Sequence, residues 1–329
     1  MSQHFLLSAA ARSLSEERIW RMSDEEAEAT FATIRWSSNK GKPFCPRCGC
    51  VIVYDCRRTN GAPRWRCKAC RHSFSVTSGT IFASHKKPFR TYLAAILMFC
   101  NEVKGKSMLA MARALDVQYK TAFVIAHKLR EAMASEVKVL RIGGEGVVAE
   151  VDGAYFGGYV KPENQKKDRV DRRLAENQSG KKKVVVAIRE RNGRTITQVF
   201  KSEAESQRFI RSRVARGTVL HTDEAGEWNV LEAHYVVHTI NHDQAYSYNG
   251  ACTNGVESFF SRIKRAENGH HHHIAGAYLV RFAQEAAWRE DYRRHSNGEQ
   301  VMVIARLALR LSPSVDFSGY WQRAVGARV

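Results

Sequence analysis

Val147-Val148-Ala149-Glu150-Val151-Asp152 is a short run of apolar and β-branched residues that ends on a carboxylate, with Gly153 and the Gly157-Gly158 pair close behind. Such a run reads as a buried strand that soon turns. Downstream, residues 183–188 and 195–200 read as two further strands joined through Asn192-Gly193, a hairpin signal. Ser202 opens a helix with Ala204, Phe209 and Ile210 at apolar positions. Gly217-Thr218-Val219-Leu220-His221-Thr222-Asp223 is another strand ending in Asp, and residues 235–240 form a fifth. A helix starts at Asn254 and carries Glu257, Phe260 and Lys264. This alternation predicts a mixed α/β domain over residues 145–295.

The frame places two carboxylates, Asp152 and Asp223, at strand ends and a third, Glu257, in the first turn of a helix. Strand-end Asp residues often cap turns, and helix-start Glu residues often sit there for the dipole. Their joint order is what points to chemistry. Neighbouring strands can bring the two Asp residues together and a packed helix can add the third. Three oxygen donors of this kind suit one or two Mg²⁺ or Mn²⁺ ions. Such a site acts at phosphorus, on attacking and leaving oxygens alike. Glu150 shares a strand face with Asp152 and competes with it for the first position. Glu224, next to Asp223, points elsewhere if the strand continues.

N-terminal to this domain, Cys45-Pro46-Arg47-Cys48 and Cys67-Lys68-Ala69-Cys70 are two knuckles eighteen residues apart. That spacing predicts a zinc ribbon over residues 41–85, with Cys45, Cys48, Cys67 and Cys70 as a closed, structural Zn²⁺ shell. Cys50 and Cys56 lie outside the symmetric pairing; Cys100 and Cys252 read as small hydrophobes. Arg47, Arg57, Arg58, Arg64, Arg66, Lys68 and Arg71 make the ribbon basic. Residues 86–140 read as helices. Ser107 can cap one running to about Leu115, and Asp116-Val117-Gln118 can turn the chain. A second helix, with Ala122, Ile125, Leu129 and Met133 on its buried face, follows from Tyr119. A helix-turn-helix of this kind would offer Tyr119, Lys120 and Thr121 to DNA, with Lys128 and Arg130 further along. An ordinary helical hairpin is the plain alternative.

The 329 residues hold 52 Lys and Arg against 33 Asp and Glu, a net charge of +19. That excess predicts a polyanionic partner, double-stranded DNA above all. The apolar run at 92–100 is far short of the roughly 20 residues a bilayer needs, and no signal peptide is visible. A cytoplasmic, nucleoid-associated protein is expected. Residues 1–40 read as a helical lead-in, 161–183 as a mobile basic loop, and 296–329 as a C-terminal tail with a short amphipathic helix at 299–311.

At this level of detail the residues resemble a known family. Arg66-Cys67-Lys68-Ala69-Cys70-Arg71-His72-Ser73-Phe74-Ser75-Val76-Thr77-Ser78-Gly79-Thr80-Ile81-Phe82 is similar to the second knuckle and exit strand of bacterial insertion-sequence transposases with an N-terminal zinc ribbon. Glu150-Val151-Asp152-Gly153-Ala154-Tyr155-Phe156-Gly157-Gly158 resembles the strand with that family's first catalytic Asp, and His221-Thr222-Asp223 the second. Thr253-Asn254-Gly255-Val256-Glu257-Ser258-Phe259-Phe260-Ser261-Arg262-Ile263-Lys264-Arg265 resembles its third-acid helix. The resemblance spans roughly residues 44–292. It implies an RNase H-like core, DDE-type strand transfer by a homo-oligomer on DNA, metal binding by Asp152, Asp223 and Glu257, and a phosphate contact by Lys264. Some relatives are described with an Asn in the third role, which keeps Asn254 as an alternative or helper. Asn241-His242 resembles a further motif, with His242 a candidate to line the site. His270 to His273 falls where relatives carry a shorter His pair, and Ala225-Gly226-Glu227-Trp228 departs from the usual pattern. A non-catalytic DNA-binding regulator and a nuclease that cuts without joining are the two rival readings.

Overall fold

The computed structural model describes residues 4–57, 64–157, 162–171, 174, 177, 180–224, 226–241, 252–271 and 273–326. They fall into two compact units, Met1–Ser135 with Tyr292–Val329, and Glu136–Asp291. The first begins with helices α1 (Glu16–Arg21) and α2 (Asp24–Arg35). Ser23 and Glu26 start α2 with a reciprocal capping box, which satisfies two otherwise unpaired N–H groups. Ala27, Phe31 and Ile34 form its buried stripe. The chain then enters a small antiparallel sheet of β1 (Val53–Asp55), β2 (Trp65–Cys67) and β3 (Ser73–Phe74). Trp36, fully buried, meets Trp65 edge-on at 5.3 Å and also approaches Phe74.

Helix α3 (Phe89–Asn101) is buried on nearly every face from Phe89 to Phe99, as an apolar helix at the centre of a bundle must be. Helix α4 (Met108–Ala114) follows, its first turn closed by Ser107 accepting from the Ala110 N–H. Asp116 turns the chain with φ +48°, and α5 (Tyr119–Val137) begins three residues later. Ala122, Ile125, Leu129 and Met133 are buried along α5, as the three–four spacing requires.

The second unit is built on five strands: β4 (Val148–Phe156), β5 (Lys183–Glu190), β6 (Thr195–Phe200), β7 (Val219–Asp223) and β8 (Val236–Ile240). Their spatial order is β6-β5-β4-β7-β8. Antiparallel pairing joins β4, β5 and β6, while β4, β7 and β8 run parallel. Strand β5 is buried without a break from Val184 to Ile188, the pattern of a strand covered on both faces. At the β5–β6 turn it is Asn192, not Gly193, that takes the left-handed conformation, with φ +61°. A short 3₁₀ turn (Glu203–Ser206) and α6 (Gln207–Arg213) connect β6 to β7. After β8 come α7 (Asn254–Ala266), a π-helical turn (Glu267–His271) and α8 (Leu279–Tyr292).

The chain ends back in the first unit with α9 (Asn297–Arg310) and α10 (Tyr320–Gly326). A second capping box, Ser296 with Glu299, starts α9. Its buried face of Val301, Ile304, Ala305 and Ala308 packs on α2 and α3. Asn297 accepts the N–H groups of Ser13 and Leu14, each at 3.0 Å, and so ties α9 to the start of the chain. Phe317, Tyr320 and Trp321 gather around Phe123 of α5.

Candidate active site

Four sulfurs come together where the two knuckles meet. Those of Cys45, Cys48, Cys67 and Cys70 all lie within 4.8 Å of one another, with Cys45–Cys70 and Cys48–Cys67 both at 3.5 Å. A tetrahedral zinc with bonds of about 2.3 Å spaces its sulfurs by roughly 3.8 Å, so the donor set and its size fit Zn²⁺. Cys50 turns away, its sulfur 3.6 Å from the Ile52 carbonyl oxygen.

In the second unit, Asp152 lies within β4, at the centre of the sheet, and Asp223 is the last residue of the neighbouring β7. Glu257 lies in the first turn of α7. Val256, Phe259, Phe260 and Ile263 form the buried stripe of α7. That leaves Glu257, Ser261, Lys264 and Arg265 on one polar face, since residues four and seven apart align on a helix. Asp152, Gly153 and Ala154 from the strand join Glu257, Phe260, Ser261, Lys264, Arg265 and Asn268 in lining a cavity of about 370 Å³. Asn254 opens the same helix, exposed, and does not line the cavity.

Burial pushes the Asp152 carboxyl up to about 7, and the charges of Asp223, Glu203 and Glu257 push the same way against the Gly153 N–H that it accepts at 2.6 Å. A buried carboxyl that neighbouring acids also push up is a place where a divalent cation is welcome. Asp223 accepts from the Trp228 indole N–H at 2.8 Å, and Glu257 from the Thr253 hydroxyl at 2.9 Å. Among the described residues the three acids are not drawn to within 4.8 Å of one another, as the four sulfurs are. Their hard oxygen chemistry nonetheless fits Mg²⁺ or Mn²⁺.

One residue of this region, Glu203, was not legible in the sequence, and another, Glu150, was legible only as a competitor of Asp152. Glu203 lies against Gly153 so closely that a Cβ there would stand 2.4 Å from its Oε1. Burial, then the charges of Asp223 and Glu227, raise its own carboxyl above the usual range. Only its place in the first turn after a strand marks it in the sequence. Glu150 is buried, 3 % exposed, and accepts the Val256 N–H at 2.8 Å. Cys252 proves to be a polar neighbour rather than a small hydrophobe: the Arg191 guanidinium reaches its sulfur at 2.8 Å.

On α5, Tyr119 and Lys120 are exposed and Thr121 is half-buried. Lys120 lies over the Trp321 ring at 5.3 Å. Arg130 is fully buried, with its guanidinium 5.3 Å from the Phe99 ring centre, which removes it from any surface. His242, Arg58, Arg172 and Arg173 lie outside the described residues, as does His272 of the histidine run.

Residues 22–73 match the family model described as the transposase zinc-ribbon domain, and residues 144–291 that of the ISXO2-like transposase domain. No curated protein and no solved structure matches the chain. The two matched segments hold the four-sulfur cluster and the three acids respectively, in the order the sheet and helices place them, and the chain belongs to the insertion-sequence transposases that join an N-terminal zinc ribbon to an ISXO2-like DDE transposase domain.

Proposed function

We propose that this transposase binds the ends of its own insertion element through residues 41–135 and cuts and joins DNA with residues 145–295. The observation that carries the reading is the single cavity shared by Asp152, Glu257 and Lys264, with Asp223 close enough to Asp152 to raise its carboxyl. Asp152, Asp223 and Glu257 would hold Mg²⁺ or Mn²⁺, which would stabilise charge on the attacking and leaving oxygens. Glu257, which lines the cavity, is favoured over Asn254 as the third acid.

Lys264 and Arg265 offer two positive charges on the cavity wall for the phosphates beside the scissile bond. Water attacks phosphorus first, and the bond to the 3′-oxygen breaks to free a 3′-hydroxyl. That hydroxyl then attacks a target phosphodiester, so one P–O bond forms as another breaks. Positioning and electrostatics do most of this work. Helices α4 and α5, joined by the Asp116 turn, serve as a helix-turn-helix. Tyr119, 46 % exposed, Lys120 and Thr121 meet DNA at the start of α5. The basic ribbon adds backbone contacts. Bringing two ends together calls for a homo-oligomer, acting at the nucleoid in the cytoplasm.

The test is purified protein with Mg²⁺, DNA carrying the sequences that flank its gene, and a target plasmid. Joined product that vanishes in Asp152→Ala, Asp223→Ala and Glu257→Ala is expected. Tight binding with no cleavage in Mg²⁺ or Mn²⁺ would favour a regulator, and cleavage without joining a nuclease.

A further inference from the structure

We infer that Glu150 is a positioning residue of this centre: it fixes the first turn of α7, and with it Glu257, against the strand that carries Asp152. The inference rests on the reading of Asp152, Asp223 and Glu257 as the metal-binding acids.

A helix starts with backbone N–H groups that have no partner within it, and a Ser, Thr, Asp or Asn side chain at the N-cap commonly accepts one of them. Thr253 occupies that place in α7 but makes no capping bond. Its hydroxyl donates instead to Glu257 Oε1, at 2.9 Å. The cap comes from another element. Glu150 Oε2 accepts the Val256 N–H at 2.8 Å, the N–H that an N-cap side chain would take. A full negative charge at this end also suits the helix dipole.

Three further features fit this role. Gly255 gives the carboxylate room: a Cβ there would stand 2.7 Å from Glu150 Oε2. Its φ lies outside the left-handed range, so closeness rather than backbone conformation calls for glycine. Arg189 is the direct cross-strand partner of Glu150 and grips the same turn, donating to the Gly255 carbonyl at 3.4 Å and to Glu290 at 2.7 Å. Finally, Glu150 Oε1 faces the Arg191 guanidinium at 3.6 Å, which offsets the cost of a buried charge. One oxygen of Glu150 is on the helix and the other faces Arg191, and Glu150 does not line the cavity that Asp152 lines, which favours a structural role for it. Because Glu150 and Asp152 are two residues apart on one strand, the same backbone sets the placement of two acids from different elements.

The experiment uses full-length, zinc-loaded protein and two readouts: Mn²⁺ binding followed by electron paramagnetic resonance without DNA, and the Mg²⁺ concentration for half-maximal strand transfer. Glu150→Ala and Gly255→Ala should each weaken Mn²⁺ binding and raise the Mg²⁺ requirement by about tenfold or more, with zinc content unchanged. Glu150→Gln keeps an oxygen that can accept the Val256 N–H, so it should fold and lose no more than about threefold. Folded Glu150→Ala or Gly255→Ala protein with wild-type Mn²⁺ affinity would overturn the inference. So would a Glu150→Gln loss as deep as that of Glu257→Gln, since it would make Glu150 a ligand itself. If Glu150→Ala and Gly255→Ala fail to fold, the comparison of Glu150→Gln with Glu257→Gln decides alone. Asp152→Ala and Glu257→Ala are the controls: if they keep full Mn²⁺ binding and joining, the acid-site reading fails, whatever Glu150 does.

Discussion

Asp152 shows what burying a carboxylate among other acids costs the fold that carries it. Its carboxyl is pushed up to about 7 by burial first and by Asp223, Glu203 and Glu257 next, whereas in the unfolded chain it titrates near 3.8. The folded protein therefore keeps, between about pH 4 and 7, a proton that the unfolded chain has released. Stability from this group is present below pH 4, declines as pH rises through that window, and stays low above 7. Asp152→Asn should remove the penalty. Without added Mg²⁺ it should raise the stability at pH 8 by an amount of the order of 1–3 kcal/mol, read as a higher melting temperature, and change it little at pH 4. A variant that melts lower than wild type at pH 8 would show that burial and like-charge crowding do not penalise the Asp152 carboxylate. The site is built at the expense of stability, as functional sites often are.

Among the elements, the ribbon depends most on something other than its own packing. Its three strands are two or three residues long, and so small a sheet is not stable alone. Beside the four sulfurs, Trp36, Trp65 and Phe74, with Phe44 against Trp36, give it apolar support. Cys67→Ser should therefore lose the bound zinc and the near-ultraviolet circular dichroism of the Trp36–Trp65 pair. The strands of the second unit should keep their far-ultraviolet signal. Zinc content and the two spectra check this; a ribbon that keeps its tryptophan signal without zinc would mean the aromatic cluster suffices. The same scale explains what could be read beforehand in α5. Residues three and four apart recur on one face, so Ala122, Ile125, Leu129 and Met133 declare a buried stripe before any neighbour is known. Arg130 could not be read in that way. A charged residue beside the stripe looks solvent-facing until α3 supplies Phe99 to cover it.

For the molecule as a whole, the two ends of the chain belong to one unit and the transposase domain to the other. Helix α9 closes the first unit by burying Val301, Ile304, Ala305 and Ala308 on α2 and α3. At about 1.5–3 kcal/mol for each large aliphatic side chain, losing that face approaches the roughly 5–15 kcal/mol that holds a whole domain together. Deleting residues 292–329 should leave the first unit open to limited proteolysis while a protected fragment from about residue 136 to 291 survives. Equal protection of both units in the truncated protein would show that α9 is dispensable.

What the sequence determined by itself was local or arithmetic: paired knuckles eighteen residues apart, a strand run ending in Asp223, a helix starting at Asn254, and an excess of positive charge. Each is a short-range pattern, set by the period of the backbone or the bite of a metal, and needs no partner to be recognised. The run through Asp152 reads as ending there, whereas β4 continues to Phe156, because β5 pairs with it as far as that residue. Where each carboxylate sits was decided only by tertiary structure. Glu150 and Asp152 are alike in residue type and strand face, and the sequence leaves them as competitors. The difference is that α7 returns, more than a hundred residues later, to set an unpaired N–H against one of them and leave the other facing the cavity.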